Sequence, residues 1–265
     1  MSTESAPLTL EQFFKQAGAG VVEDFTLEPG GHPGGDPGEE VDGAEIQVHA
    51  RNGRCIGIDF SQWVLAGSHF DHVEFDACRF RAAELSDARF EHCTFFTGEA
   101  PSNCDFSFAD LRETVFDRCD LTTAVFTRTR AHGLELKQCQ AQGAEFREAD
   151  FSLAVPGAQR SGVNHATFDG CNLSYADFSR TDLTDCQLTD NRLIHSIWHN
   201  AVLERANLTG STLDNIEGKG LVLRGADLRG CRFNNLDARQ IDLTDVQVEL
   251  EQGLTLLQTL GIQVS

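Results

Sequence analysis

Cysteine and histidine are the residues of this sequence best suited to metal binding, disulfide formation or catalysis, and there are nine of each. Metal-binding cysteines usually come in Cys-x-x-Cys pairs, which the sequence lacks, and an odd number cannot all pair as disulfides. Eight of the nine occupy one recurring position that favours a small buried side chain: Cys78, Cys93, Cys104, Cys119, Cys139, Cys171, Cys186 and Cys231. We therefore expect reduced core cysteines, which are typical of cytoplasmic proteins.

Two histidines, His195 and His199, are four residues apart, a spacing that can bind a metal ion on one face of a helix. They flank Trp198 in a segment with a five-residue period, where they do not share a face, so we interpret them as surface histidines. The sequence has no phosphate-binding Gly-rich loop and no nucleophile elbow, and no acidic pair is set apart for acid–base catalysis. We expect no enzyme activity, no catalytic residue, no metal site and no cofactor.

The dominant feature of the sequence is an apolar residue at every fifth position, here called the central position. The residue two places earlier is mostly small, and the one between them is polar and often acidic, as in Ala176, Asp177 and Phe178. The central residues form three runs: Phe60, Leu65, Phe70, Phe75, Phe80, Leu85, Phe90 and Phe95; Phe106, Leu111, Phe116, Leu121, Phe126, Ala131, Leu136, Ala141, Phe146 and Phe151; and Phe168, Leu173, Phe178 and onward to Val248.

Neither a helix nor a flat strand explains a period of five. In extended chain the central and small positions share one face, so every five-residue unit needs a corner and the chain must coil. Reading every fourth central residue separates an aromatic column, from Phe60 to Trp198, from a leucine-rich column that begins at Leu65. Residues 58–248 are therefore predicted to form an all-β, right-handed quadrilateral β-helix, with two inserted loops and a C-terminal capping helix.

The two breaks between runs are predicted to be loops, over residues 98–103 and 154–165. A repeat scaffold often displays its binding residues on such insertions, so we interpret both loops as partner-binding segments, with Arg160 and its neighbours foremost. The candidate contact residues are Gly98, Glu99, Ala100, Pro101, Ser102 and Asn103 in the first loop, and Val155, Pro156, Gly157, Gln159, Arg160 and Ser161 in the second.

The segments outside the repeat are predicted to cover the open strand edges at its ends. Residues 1–57 should include a short helix over 11–16, an acidic Gly/Pro-rich linker over 30–43 and a hairpin cap around Asn52-Gly53. Residues 249–265 should form a helix that either caps the coil alone or also joins two chains, and the sequence favours neither. The interface residues would be Leu250, Leu254, Leu257, Leu260 and Ile262.

The formal net charge of −20 disfavours direct binding to nucleic acid or to an anionic membrane. Residues 1–50 hold 10 acidic residues and 1 basic one, so nearly half of the net charge lies outside the predicted coil. The 20 basic residues that follow interrupt any phosphate-like stripe. The sequence shows no apolar run of ~20 residues and no signal-peptide pattern, so we expect a cytoplasmic protein.

The segments beside the two predicted loops resemble the Qnr pentapeptide-repeat proteins of quinolone resistance. The resemblance is carried by Cys104-Asp105-Phe106-Ser107 after the first loop, by 139–146 before the second, by 172–179 after it, and by 254–264 at the end. It implies a rod-shaped homodimer, joined through the C-terminal ends, that binds DNA gyrase and topoisomerase IV. Such a protein protects these enzymes from quinolones, or from a related toxin, and needs both loops to do so.

The chain departs from this family in its long N-terminal extension and in the sequence of its second loop, so the roles of individual loop-tip residues are not carried over. Two functions remain open. The first is a protein that protects type II topoisomerases. The second is a structural or adaptor solenoid with a different protein partner.

Overall fold

The computed structural model describes residues 7–18, 20–28, 47–96, 98, 103–153, 163–234 and 236–263. Within these ranges no helix is long and apolar enough to cross a bilayer. The helices are α1 (Leu10–Ala17) and α2 (Leu250–Thr259). The strands are β1 (Val21–Glu23), β2 (Thr26–Leu27), β3 (His49–Arg51), β4 (Arg54–Ile56), β5 (His69–Asp71), β6 (Glu74–Asp76), β7 (Arg89–Glu91), β8 (Val115–Asp117), β9 (Leu134–Lys137), β10 (Ser152–Leu153), β11 (Val163–Asn164), β12 (Ala166–Asp169) and β13 (Gln187–Thr189).

Most strands belong to parallel ladders that join each turn of the chain to the next. The largest sheet has the order β1-β3-β5-β7-β8-β9-β12-β13, and a smaller one has the order β2-β4-β6. Phe70 pairs with Phe90 twenty residues later, and single bridges such as Val64 to Glu84 repeat this offset on the other sides. Because five residues form one side, an offset of twenty closes a four-sided turn. The predicted four-sided β-helix is confirmed.

The aromatic column predicted from the sequence is a continuous stack of rings. From Phe60 to Trp198 the neighbouring ring centroids are 4.3 to 5.0 Å apart, with interplanar angles of 4 to 13°. Leu111 lies on the adjacent side, since its neighbour Asp110 bridges Glu84 below and Arg130 above. Each buried Phe or Leu contributes roughly 1.5–3 kcal/mol, so one core runs along the inside of the coil.

The corners of the coil use left-handed backbone conformations. They occur two residues after the central position, for example at Ala82 (φ 55°) and Arg128 (φ 57°). At many corners the next amide donates to the central carbonyl, as Ala83 N does to Phe80 O at 3.0 Å, which is the hydrogen bond of a β-turn. Non-glycine residues seldom adopt this conformation. Here the adjacent turn holds it, since Ala82 N also donates to Ser107 O at 2.9 Å.

Eight of the nine cysteines occupy the small position inside the coil, as expected, while Cys55 pairs with Phe75 and so lies at a central position. All nine are free and buried. Most of their thiols donate to a carbonyl group one turn earlier, as Cys119 Sγ does to Phe90 O at 3.3 Å. Burial raises the pKa of the Cys78 thiol to about 12. Because the thiolate is the reactive form, these side chains serve as small core residues.

The prediction of a hairpin at Asn52-Gly53 is wrong. β3 pairs in parallel with β1 and β5, while β4 pairs in parallel with β2 and β6, so the two strands are neighbouring sides of one turn. Asn52 supplies the left-handed corner (φ 52°). Gly53 lies at the small position, where a Cβ atom would meet Phe25 Cε1 at 1.9 Å. The Asn-Gly pair therefore forms a corner of the coil, with the Phe25 ring packed against Gly53.

The N-terminal end of the coil is covered by α1, which confirms the predicted short helix. The parallel ladders also include β1 and β2, which precede the regular repeat in the sequence. Phe13 of α1 is buried, and its ring centroid lies 5.0 Å from that of Phe25. Residues 29–46, which include the predicted linker, lie outside the described residues.

The C-terminal end of the coil is covered by α2, which confirms the predicted capping helix. A capping box joins Glu249 and Gln252 at its first turn. The Gln252 amide is buried and donates to Leu228 O at 2.7 Å and to Cys231 O at 2.8 Å. These carbonyls belong to the last turns of the coil, so one side chain both starts the helix and satisfies the backbone beneath it.

Candidate partner-binding loops

The first loop leaves the coil between the sides of Phe95 and Phe106. Of its predicted contact residues the structure describes Gly98 (φ 84°) and Asn103, which are both exposed. Glu99, Ala100, Pro101 and Ser102 lie outside the described residues. The ladder continues across this break, since Arg79 bridges Asp105 and Phe90 pairs with Phe116. The coil therefore keeps its register around the inserted residues.

The second loop rises from a two-stranded ribbon that the sequence pattern did not reveal. β10 and β11 pair antiparallel, with Ser152 opposite Asn164 and Leu153 opposite Val163. Leu153 is 46% exposed and Val163 is 64% exposed, so an apolar pair lies on the ribbon surface. The predicted contacts Val155, Pro156, Gly157, Gln159, Arg160 and Ser161 lie outside the described residues. Polar and apolar residues alternate from 165 to 168, which could have indicated a strand, but strands of two residues are too short to be recognised as a pair from sequence.

Hydrogen bonds at the base of the ribbon attach it to the coil. Asn164 is buried and donates through Nδ2 to Asp182 Oδ1 at 2.9 Å. Asp150 Oδ1 accepts from Ser152 N at 3.0 Å and from Ser152 Oγ at 2.6 Å. A loop mounted on a fixed base loses less conformational entropy when it binds a partner.

The two loops lie at opposite corners of the coil. The first joins the side of Phe95 to the side of Phe106, and the second joins the side of Phe151 to the side of Phe168. Stacking places Phe106, Phe126 and Phe146 in successive turns. With strands ~4.8 Å apart, the loops are separated by about 12 Å along the coil axis. A partner that touches both must reach around the coil.

Arginine residues form ion pairs with many of the acidic residues on the sides of the coil. Glu148 is 2.6 Å from Arg128 and 2.5 Å from Arg180, one turn to either side. Asp110 accepts from both Arg112 and Arg130 at 2.6 Å. Burial raises the pKa of the Asp110 carboxyl, but hydrogen bonds from Arg112 and the charge of Arg130 outweigh it and hold that pKa below its usual range. At these positions arginine residues interrupt the negative charge of the coil.

The C-terminal end presents an apolar surface. Leu250 is 81% exposed, and Leu260 and Ile262 are also exposed. Leu254 and Leu257 are half-buried and line a shallow groove of about 490 Å³ between α2 and the last turn, together with Leu243 and Val248. All five predicted interface residues therefore lie on this end surface. Exposed apolar patches of this kind often mark association sites.

The chain matches the family described as Pentapeptide repeats over residues 55–95, 104–139, 164–190, 186–216 and 219–246. The gap after 95 contains the first loop, and the gap after 139 contains most of the second. Among curated proteins it is 36% identical over 126 residues to the quinolone resistance pentapeptide repeat protein QnrB96 of Scandinavium goeteborgense. It is 34% identical over 126 residues to the pentapeptide repeat protein QnrB4 of Escherichia coli. Each alignment covers 48% of this chain and 58% of the relative.

Among solved structures the chain is similar to full-length QnrB1, which is described as a plasmid-mediated fluoroquinolone resistance protein. The two are 31% identical and superpose with a TM-score of 0.73, over 79% of this chain and 97% of QnrB1. The structural likeness therefore extends along nearly the whole of QnrB1, while the sequence alignments to the curated relatives span little more than half of their length.

Proposed function

Because this chain belongs to the Qnr-like pentapeptide-repeat family, we propose that it binds type II DNA topoisomerases, namely DNA gyrase and topoisomerase IV, and protects them from quinolones or a related poison. The observation that carries the proposal is the similarity to QnrB1 over 97% of that chain. On this proposal the protein is not an enzyme, and it acts by occupying its target. The proposed targets act on chromosomal DNA, so the proposal implies a cytoplasmic protein.

The discriminating contacts are assigned to the two loops. The coil keeps its register across both of them, so neither is needed to complete the scaffold. Protein interfaces derive most of their binding energy from a few well-packed residues. The ribbon offers such residues in Leu153 and Val163, next to the loop that contains Arg160. We expect the first loop to add contacts from the opposite corner.

The acidic sides are assigned a steering role. Charge mainly accelerates encounter, and its effect is weakened by salt. Ion pairs such as Arg128 with Glu148 reduce the unpaired negative charge of the coil. Imitation of the DNA backbone by charge alone is therefore the weaker explanation of binding.

A homodimer through the C-terminal end is part of the proposal. Leu250 is 81% exposed, so it contributes little to capping the coil, and contact with a second chain would bury it. Contact between two copies of this surface would cover Leu250, Leu254, Leu257, Leu260 and Ile262 at once. A twofold interface of this kind is the commonest way in which identical chains associate.

Supercoiling by purified gyrase in the presence of a fluoroquinolone tests the proposal. Added protein should raise the drug concentration needed for half-inhibition, whereas an equal amount of an unrelated acidic protein should not. Co-purification of gyrase with the immobilised chain should accompany the effect. A folded chain that neither protects nor retains gyrase would instead favour the adaptor function with another partner.

A further inference from the structure

Two histidines form a stacked pair at one corner of the coil, near its N-terminal end. His72 and His92 follow β5 and β7, twenty residues apart, and both have the left-handed backbone of a corner (φ 53° and 52°). Their ring centroids are 4.5 Å apart, with an interplanar angle of 20°. The repeat therefore aligns two imidazoles as the i and i+4 positions of a helix do.

A carboxylate is aimed at both rings. Asp71 Oδ1 lies 2.6 Å from His72 Nδ1 and 3.4 Å from His92 Nδ1. The three donor atoms all lie within 4.8 Å of one another. Ligands of one Zn²⁺ ion at ~2.0–2.2 Å lie up to about 4 Å apart, so small rotations of these side chains are enough to converge on a single ion.

The charge around the histidine pair also favours a cation. Asp71, Glu91 and Asp117 are direct partners in three successive turns of the ladder. Like charges in such positions repel one another. Arg51 Nε approaches Asp71 Oδ2 at 3.6 Å and leaves Oδ1 directed at the histidines. A divalent ion between Asp71 and the rings would relieve this repulsion.

We propose that Asp71, His72 and His92 bind one divalent transition-metal ion of the Zn²⁺ or Ni²⁺ class. Imidazole suits both ions, and Zn²⁺ also accepts carboxylate oxygens as ligands. The Asp71 side chain is 24% exposed, that of His92 39% and that of His72 57%. Water can therefore complete the coordination, and the ion can enter from solvent. The hard ions Mg²⁺ and Ca²⁺, which prefer oxygen ligands, are disfavoured by two imidazoles.

The bound ion would join two turns of the coil close to the first loop. His92 and Gly98 are six residues apart and are separated by a single side of the coil, which contains Phe95. The sequence did not predict the site, because a spacing of twenty becomes close only after the chain has coiled. The proposal is independent of topoisomerase protection, because its evidence is the geometry of this corner.

Titration calorimetry of the untagged, chelator-treated chain with ZnCl₂ tests the proposal. One ion should bind per chain, and His92→Asn should lower the affinity at least ~10-fold, since it removes a metal ligand. Asn tolerates the left-handed backbone, so the coil should remain folded. Asp71→Asn should also weaken binding. His195→Asn is the matched control, because His195 has the same corner backbone (φ 58°) but stacks on Tyr175.

Thermal unfolding supplies a second readout, since a ligand that binds only the folded state stabilises it. Zn²⁺ should raise the melting temperature of the wild type and of His195→Asn, but not that of His92→Asn. The proposal is overturned if the wild type shows no saturable binding, or if His72→Asn and His92→Asn both bind the ion as tightly as the wild type does.

Discussion

Replacement of Phe126 by alanine examines the ring stack on which the coil depends. Phe126 is fully buried. Its ring lies 5.0 Å from that of Phe106 on one face and 4.8 Å from that of Phe146 on the other. Phe116 contacts it edge-on at 6.1 Å. The change therefore removes a ring with aromatic neighbours on both faces and at its edge.

The expected loss of stability follows from these contacts. Truncation of a buried Phe to Ala costs about 3–5 kcal/mol, which includes the cavity left behind. Each aromatic pair contributes roughly 0.5–1.5 kcal/mol beyond its buried area. Because the ladder bonds on either side hold Phe106 and Phe146 apart, the coil can close little of the cavity. We therefore expect a cost near the upper end of this range.

Urea unfolding followed by circular dichroism measures this cost. Arg128→Asn is the matched control, because Arg128 is exposed on the same unit and its left-handed corner accepts Asn. Loss of its ion pair with Glu148 should cost no more than ~1 kcal/mol. Phe126→Leu should fall between the two, since leucine fills much of the space. Equal costs for Phe126→Ala and Arg128→Asn would refute the stacked core.

Three further predictions concern single residues. Asp110→Asn should reduce the loss of unfolding free energy at acidic pH. The lowered pKa of the folded Asp110 carboxyl stabilises the protein above the unfolded pKa of ~3.9, and this stabilisation is lost as pH falls. An unchanged dependence of stability on pH in the variant would count against the prediction. Gly53→Ala should destabilise the protein, because the added methyl group would collide with the Phe25 ring. Gly253→Ala in α2 should stabilise the protein by roughly 0.5–1 kcal/mol, and melting curves measure both effects. Leu250→Asp should yield folded monomers by light scattering, and an intact dimer would contradict the proposed interface.

Much of the coil could be predicted because its side chains repeat with the period of the backbone. Phe60, Phe80 and Phe106 share a column in the sequence and stack in the structure. The free buried cysteines followed from the same pattern, while the capping helix followed from the helical spacing of Leu250, Leu254 and Leu257. In a solenoid each residue contacts mainly the turns above and below it, so the period alone specifies the neighbours.

The N-terminal strands and the ribbon could not be predicted because they depend on contacts between distant segments. Asn52-Gly53 has the signature of a hairpin, but β1 and β2 already pair with its flanking strands. The sequence predicted a helix, a linker and a cap in the N-terminal extension, but not how tightly its apolar residues pack. Phe13, Val22 and Leu27 are buried against the coil, so deletion of residues 1–45 would uncover its end. A test of the acidic segment must leave residues 7–28 in place.

Gyrase protection by two designed variants measures most directly whether the second loop or the charge of the acidic linker provides the function. One variant replaces residues 154–162 by Asn-Gly, a turn that keeps Leu153 and Val163 paired in the ribbon. The other neutralises the linker by changing Asp36, Glu39, Glu40 and Asp42 to their amides. We predict that the loop variant melts like the wild type and fails to protect supercoiling from a fluoroquinolone, while the neutralised variant still protects. Protection by the loop variant together with its loss in the neutralised variant would contradict the account.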